Sequence, residues 1–561
     1  MSEKWQNIRL HMAALSRRAK GVRIRRPNCQ KRYVPGCPER LLIAPQDLRT
    51  ADPTIAEDIY AGHFVFAGQV ENCEGQSPFR ILSPSKEWAQ ELNGFRWLRH
   101  LRASEATLSR SNAQILVEDW IHRSPRLGQE AWELPVVANR VMAWLSNSPL
   151  ILQQADHNFY RAFVRALYLQ VRYLRASQAL MPNNVDRLYM LIAELAGWLC
   201  LSGKERYIRS TSKRLVHELD AQILPDGGHV SRNPVVILSL LLDLLPLRQT
   251  FLSRDMVPPE GMNRAIERMM PMLRFFRHHN GAFAHFNGTG ATPADQLATI
   301  MAYDDTRGTP VSNASFSGYQ RMEAGSTLLL MDTGDCPPVE QSVQAHAGTL
   351  SFELSVGAAF FVVNCGSPSC RHASWRELSR STAAHSTLSI QDRSTCTIAK
   401  KSLDLGGRPL LCSGLKAEVN RSMDQAQETI ITAHEGYAAA YGIRHERQLW
   451  MAIDGRSLDG HDELKSVGKG IRKGQDSYAI RFHMHPSVQV ETSDDRDMVY
   501  LGLSNGEIWS FSAQEMEVTI EDSVFLSDIH GIQPTKQLVL YGYASHIPSV
   551  HWKLKRVAFA D

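Results

Sequence analysis

The spacing of apolar residues changes once along this chain, and that change constrains the fold more than any single motif. From about Ser85 to Arg277 apolar side chains recur at helical spacing, as in Leu188, Leu191, Ile192, Leu195, Ala196 and Leu199, or Ile237, Leu240, Leu241 and Leu244. After about Gly308 the runs become short, alternating or β-branched, and Gly, Ser and Asp punctuate them. They are Gly325 to Met331, Thr349 to Val356, Phe360 to Val363, Thr387 to Ile390, Tyr478 to His483, Met516 to Ile520 and Gln537 to Tyr541. At 561 residues the chain is too long for one core. Many helices followed by many strands predict a multidomain α-then-β architecture, an (α/α) toroid of helical hairpins followed by a C-terminal antiparallel β-sandwich. The expected divisions are an irregular N-terminal segment over 1–84, the toroid over 85–307 and the sandwich over 308–561. The first should contain extended pieces such as Gly62 to Ala67, and Ala282 to Thr309 should carry the last helix and the crossover.

Charge excludes some partners. With 62 basic and 58 acidic residues the net charge of +4 is too balanced to imply nucleic acid. Two local basic clusters, Arg96, Arg99, His100 and Arg102, and Arg17, Arg18, Lys20, Arg23, Arg25 and Arg26, are compatible with anionic partners, although solvated charge is the commoner explanation. The nine cysteines (29, 37, 73, 200, 336, 365, 370, 396 and 412) are odd in number and form no CxxC pair, which argues against a disulfide framework or a zinc knuckle and fits a reducing compartment. Met1 to Asn7 leads into basic residues without an apolar h-region, and Val235 to Leu247 is broken by Ser239, Asp243 and Pro246. The expectation is a cytoplasmic protein without a membrane span, reaching the periplasm only by an unusual route. Oligomeric state is left open.

The densest chemistry lies in Leu224 to Pro234. Asp226-Gly227-Gly228 has the residues of a tight turn, and His229, Arg232 and Asn233 add a titratable ring, a carboxylate clamp and an amide. A polar helix-to-helix turn explains the same residues equally well.

An ordered set of pieces then resembles a known family. These are Trp88 with Leu92 to Leu98, Arg140 with Trp144, Asn183-Asn184, Asp226 to His229, His346 to Leu354 and Thr382 to Thr387. Together they resemble the heparinase II/III family of polysaccharide lyases. The resemblance implies a toroid and sandwich with a cleft between them, where a uronate-containing, glycosaminoglycan-like chain is cut by β-elimination. That reaction removes the proton on C5, so it needs a group to neutralise the carboxylate, a base, and an acid for the leaving oxygen. In the family an Asn takes the first role and a Tyr and a His share the others. Asn184 matches that Asn, although an N-cap for a helix beginning near Val185 accounts for it equally. The catalytic Tyr would fall at Val236, the following His at Ile237, and a second His at Gln344, so the usual base and acid are absent.

The candidate catalytic residues are therefore Asn184, His229 and His346, with Arg140, Arg232, Asn233, Asn287 and Tyr319 as candidate substrate contacts. Arg140 and Trp144 stand one helical turn apart, as a clamp beside a stacking ring or as a paired Arg beside a buried Trp. Tyr319 is the best surviving phenolic base. Some relatives hold zinc at positions that resemble His346, Asn364 and His385, with Asn364 in place of a charged Asp. Without metal, His346 and His385 are hydrogen-bonded histidines pinning the two domains together. His483 and His485 share a strand face, which suits a metal or a structural pair. Three functions remain: a lyase of altered mechanism; a glycoside hydrolase, for which Asp226 lacks a carboxylate partner; and a catalytically altered or inactive glycan-binding protein or scaffold in envelope polysaccharide metabolism.

Overall fold

The computed structural model of the chain describes residues 2–21, 36–103, 107–304, 308–368, 373–400, 405–412, 415–468, 470–472, 474–493 and 498–559. Arg23, Arg25, Arg26, Cys29 and Cys370 lie outside the described residues.

The helical region is built around Val185–Cys200, whose residues from Met190 onward are buried on every side. It packs on Leu134–Ser146, His157–Ser177, Glu205–Gln222 and Pro234–Leu252. Large aromatic side chains fill the space between these helices. Trp144 is stacked on Phe163 at 5.2 Å and meets Trp120 edge-on at 5.3 Å. Fully burying such rings gives the helical core its largest hydrophobic contributions, roughly 1.5–3 kcal/mol for each side chain removed from water. Pro234–Leu252 is long and apolar enough to cross a membrane by length and composition, yet 67% of its apolar window is buried inside the fold. It is a core helix, and Ser239 and Pro246 do not interrupt it.

Strands dominate after residue 312 and form two antiparallel sheets. One has the order Val518–Asp528, Gly531–Tyr543, Ser477–Met484, Ala359–Val363, Phe352–Val356, Thr327–Asp332, Tyr319–Ala324, Asn313–Ala314, and Leu388–Ile390 also pairs with Ser477–Met484. The other runs Ala417–Met423, Gln427–His434, Ile443–Ala452, Ser457–Ser466, Ser549–Phe559, Glu507–Ala513, Val499–Gly502, Gln489–Thr492. Ile443–Ala452 alternates strictly between buried and half-buried residues, as expected of a strand with one face on a core. Phe352 from one sheet stacks on Trp552 from the other at 5.8 Å and 4°, so the two sheets share that core.

Residues 1–84 are more regular than expected. Glu3–Gly21 and Pro53–Tyr60 are helices, and His63–Phe66 pairs with Gln69–Asn72. The first helix turns most of its apolar residues to solvent. Leu10 is buried, whereas Trp5, Ile8, Met12 and Leu15 form an exposed stripe. This helix is tied to the sandwich: Gln6 donates to the Cys412 carbonyl, Thr397 to Glu3, and Arg17 to Glu340.

Candidate active site

The loop after helix Glu205–Gln222 forms as its residues dictate. The Asp226 carboxylate accepts from Gly228 N at 3.0 Å and from Ser317 N at 2.7 Å, tying the turn to the sandwich. Gly227 has φ +91°, and a Cβ there would stand 1.8 Å from the Arg268 carbonyl oxygen. Gly227→Ala should cost about 2–4 kcal/mol, a left-handed backbone penalty plus overpacking against main chain, read as a lower denaturant midpoint at constant slope.

The same turn carries His229 into the interior. Its Nδ1 accepts from Ser231 N at 3.0 Å and meets Ser231 Oγ at 2.7 Å, so the proton sits on Nε2, which donates to Gln222 Oε1 at 2.9 Å. Burial pushes the ring down to about 3, so it stays neutral at physiological pH with both nitrogens engaged.

Arg232, at φ +61°, points the other way, into the sandwich. It donates to the carbonyls of Ser317, Asp335 and Gly318 at 2.8–2.9 Å and to Asp332 Oδ1 at 2.6 Å, lying 4.7 Å over the Tyr319 ring. Burial works against its charge, but Asp332 outweighs burial and holds the guanidinium above its ordinary value. The expected substrate clamp is thus corrected: Arg232 spends its donors on the protein. Tyr319 donates its hydroxyl to the Arg232 carbonyl at 2.5 Å, and burial raises its phenol well above the usual range, so it is no base near neutrality. Asn287 donates to the Tyr319 hydroxyl at 2.7 Å and to Asp332 at 3.2 Å while accepting from His346 N at 3.1 Å. Asn233 caps Pro234–Leu252 by accepting from Val235 N at 3.0 Å, and its amide reaches Gln344 at 3.3 Å. These residues do converge, as structural pins between helices and sheets.

Beside them lies a histidine pair. His385 Nδ1 donates to the Ser381 carbonyl at 2.8 Å, leaving Nε2 to accept from His346 Nδ1 at 3.1 Å. Burial holds His346 well below its ordinary value and His385 at about 4. Asn364 is fully committed, its Nδ2 donating to Glu353 at 3.2 Å and its Oδ1 accepting from Ser386 N at 3.0 Å. A neutral amide with both ends in use does not suit zinc, so Asn364 does not complete the metal site expected at His346, Asn364 and His385, and the two rings share a hydrogen bond instead. Sequence reasoning missed its neighbour, Glu353, which is fully buried and meets His285 at 3.2 Å and His278 at 3.3 Å. Its signals were a charge between apolar Phe352 and Leu354 and its place in the stretch His346 to Leu354.

The remaining candidates lie apart. Asn184 holds the N-cap position of Val185–Cys200 without a capping bond. Its amide donates to Asp186 at 3.1 Å, Oδ1 is buried with no partner among the described residues, and its carbonyl is linked through Gln222 to His229. Arg140 is wholly buried, donating to Gln170, Asn93 and Ala131 and stacked 4.1 Å over Trp120. Neither it nor buried Trp144 can reach a sugar, which corrects the clamp-and-ring expectation. Val236 and Ile237, where the family's Tyr and His would stand, are packed in the helical core, and Gln344 is exposed. His483 is bonded to Ser523 and Ala383, whereas His485 bonds Ser487 and stacks on Phe360, so they share no ligand.

Two adjoining cavities of about 510 and 550 Å³ open beside this layer, both bordered by Val230 and Asp335 to Pro338, and the first helix walls the smaller one. Residues 306–553 match the family model described as heparinase II/III-like, C-terminal. The chain carries a heparinase II/III-like C-terminal domain. The whole chain has the toroid-plus-sandwich fold of solved lyases. It is similar to a mutant of the heparan sulfate lyase HepC from Pedobacter heparinus at a TM-score of 0.64 and 13% identity, covering 100% of this chain and 89% of that one. It is similar to a crystal structure of heparinase III at 0.67 and 13%, covering 88% and 80%. It is also 28% identical over 535 residues to the FtsZ-localized protein C of Caulobacter vibrioides, across 92% of this chain and 91% of that protein.

Proposed function

We propose that this heparinase II/III-like chain binds an acidic, uronate-containing glycan in the cleft without cleaving it, as a scaffold in envelope polysaccharide metabolism. The observation that carries this reading is His229, whose two ring nitrogens are both closed on the protein interior. β-Elimination needs a base that can reach C5, and the usual Tyr and His are the apolar Val236 and Ile237. What faces the cavities is suited to holding a sugar: exposed Phe316 (63%) beside exposed Ser315, with exposed Arg9 on the wall of the adjoining cavity. The Caulobacter relative is named for its localisation with FtsZ and not for a reaction. A role for this chain at such a location is consistent with binding.

The test pairs two measurements on one panel of acidic polysaccharides. Ultraviolet absorbance of unsaturated uronate should stay flat while calorimetry detects binding, and Phe316→Ala should weaken that binding about tenfold, the loss of roughly 1.4 kcal/mol of stacking. Rising absorbance with any substrate overturns the proposal. One observation favours lyase chemistry as the second reading: His346 donates through Nδ1, and its Nε2 takes no hydrogen bond among the described residues. If absorbance rises, His346→Ala should abolish it, and activity surviving in that variant removes this reading too.

A further inference from the structure

Cys336, Cys396 and Cys412 come from three segments of the sandwich to one point. Strands Thr397–Ile398 and Leu410–Leu411 pair antiparallel, with Thr397 opposite Leu411. One step further in that register sets Cys396 opposite Cys412, their Cα atoms 4.7 Å apart. Cys336 arrives from the loop after Thr327–Asp332, its Cα 6.6 Å from that of Cys412. The lack of a CxxC spacing concealed this cluster in the sequence.

Cys412 Sγ is in direct contact with both other sulfurs, and Cys336 and Cys396 Sγ lie 2.8 Å apart. A thiol sulfur forms one disulfide, so Cys412 cannot be joined to both. Nor is the arrangement that of a disulfide relay. Exchange proceeds by in-line attack, which places the attacking and leaving sulfurs on opposite sides of the central one, about 4 Å apart or more. Cys336 and Cys396 instead lie on the same side of Cys412. Three sulfurs turned toward a common centre suit one ion. Among the described residues, these are the only three or more Cys, His, Asp or Glu side chains whose ligand atoms all lie within 4.8 Å of one another.

We propose that Cys336, Cys396 and Cys412 bind one thiophilic divalent ion of the zinc class as thiolates, the sulfurs spreading to admit it. Cys336 and Cys412 line the cavity of about 510 Å³ beneath the first helix, so the fourth position opens toward it. The ion ties three elements together: the Cys396–Cys412 hairpin, the first helix through Gln6 on the Cys412 carbonyl, and the loop in which the neighbouring Asp335 carbonyl accepts from Arg232. Binding releases the thiol protons, so occupancy falls in acid.

The test uses the full chain purified under reducing conditions. Mass spectrometry of metals should find about one zinc per chain, falling to below about 0.1 in Cys412→Ser and Cys396→Ser but retained in His385→Ala. Cobalt loaded into the wild-type chain should give a thiolate-to-metal charge-transfer band, which keeps the test decisive if the serine variants do not fold. The proposal is overturned by a reduced chain that takes up no zinc, by cobalt without that band, by zinc that survives both serine substitutions, or by zinc lost only in His385→Ala. An intact mass two hydrogens low in a metal-free chain overturns it in favour of a disulfide.

Discussion

Asp332→Ala should destabilise the folded chain by about 3–5 kcal/mol, a large share of the roughly 5–15 kcal/mol that holds a domain together. Asp332 is 2% exposed and receives Arg232 at 2.6 Å and Asn287 at 3.2 Å. Removing the carboxylate leaves a guanidinium buried beside carbonyls alone, and the cost is that of the uncompensated charge rather than the net worth of the pair. The double variant Arg232→Met with Asp332→Leu should therefore recover most of the loss, because it removes both charges while keeping bulk. Arg232→Lys alone should also lower stability, since one ammonium cannot serve three carbonyls and a carboxylate at once. Urea midpoints of the four proteins decide the matter. A double variant no more stable than Asp332→Ala would show that the carbonyl contacts, and not the charge pair, hold helices and sheets together.

That arrangement explains why the sequence conveyed the fold better than the site. Apolar spacing depends on neighbours along the chain, so helices such as Val185–Cys200 and strands such as Ala359–Val363 were legible within a few residues of their ends. Strands such as Ile443–Ala452 were not, because two of their inward positions carry buried His445 and Arg447, which break the apolar alternation. For the site, sequence reasoning located Asn233, Asn287, Tyr319 and His346, which do lie together. It could not supply the direction in which each side chain is spent. Arg232 reads the same in a sequence whether it faces a uronate or Asp332, one hundred residues away. Glu353 and the three clustered cysteines are legible only once strand register and loop paths bring distant positions together.

The interior histidines give the second large effect, an acid-labile fold. Burial holds His229 and His483 at about 3 and His385 at about 4, against an ordinary value of 6.5. A folded-state value below the unfolded one means that, under pH 6.5, the unfolded chain binds protons that the folded chain refuses. Their stabilising effect is therefore complete above about pH 6.5 and is lost as pH falls toward 4, at about 1.4 kcal/mol per pH unit for each ring. These three rings alone give about 4 kcal/mol per unit, or about 6 kcal/mol between pH 7.5 and 5, and other buried rings held low, His346 and His434 among them, add to it. Burial alone would raise Glu353, but His285 and His278 outweigh it and hold the carboxyl below its ordinary range. Its contribution has the same sign and goes at lower pH, once unfolded glutamate begins to protonate near about 4.3. Urea unfolding from pH 7.5 to 5 should show the midpoint falling steeply. His229→Gln, which keeps a polar group opposite Gln222 but cannot titrate, should lower the slope by about 1.4 kcal/mol per pH unit. Equal midpoints at pH 7.5 and 5 would mean that these rings accept protons inside the fold. His229 and His385 would then be open to acid–base chemistry, and the non-catalytic reading of the cleft would lose its main support.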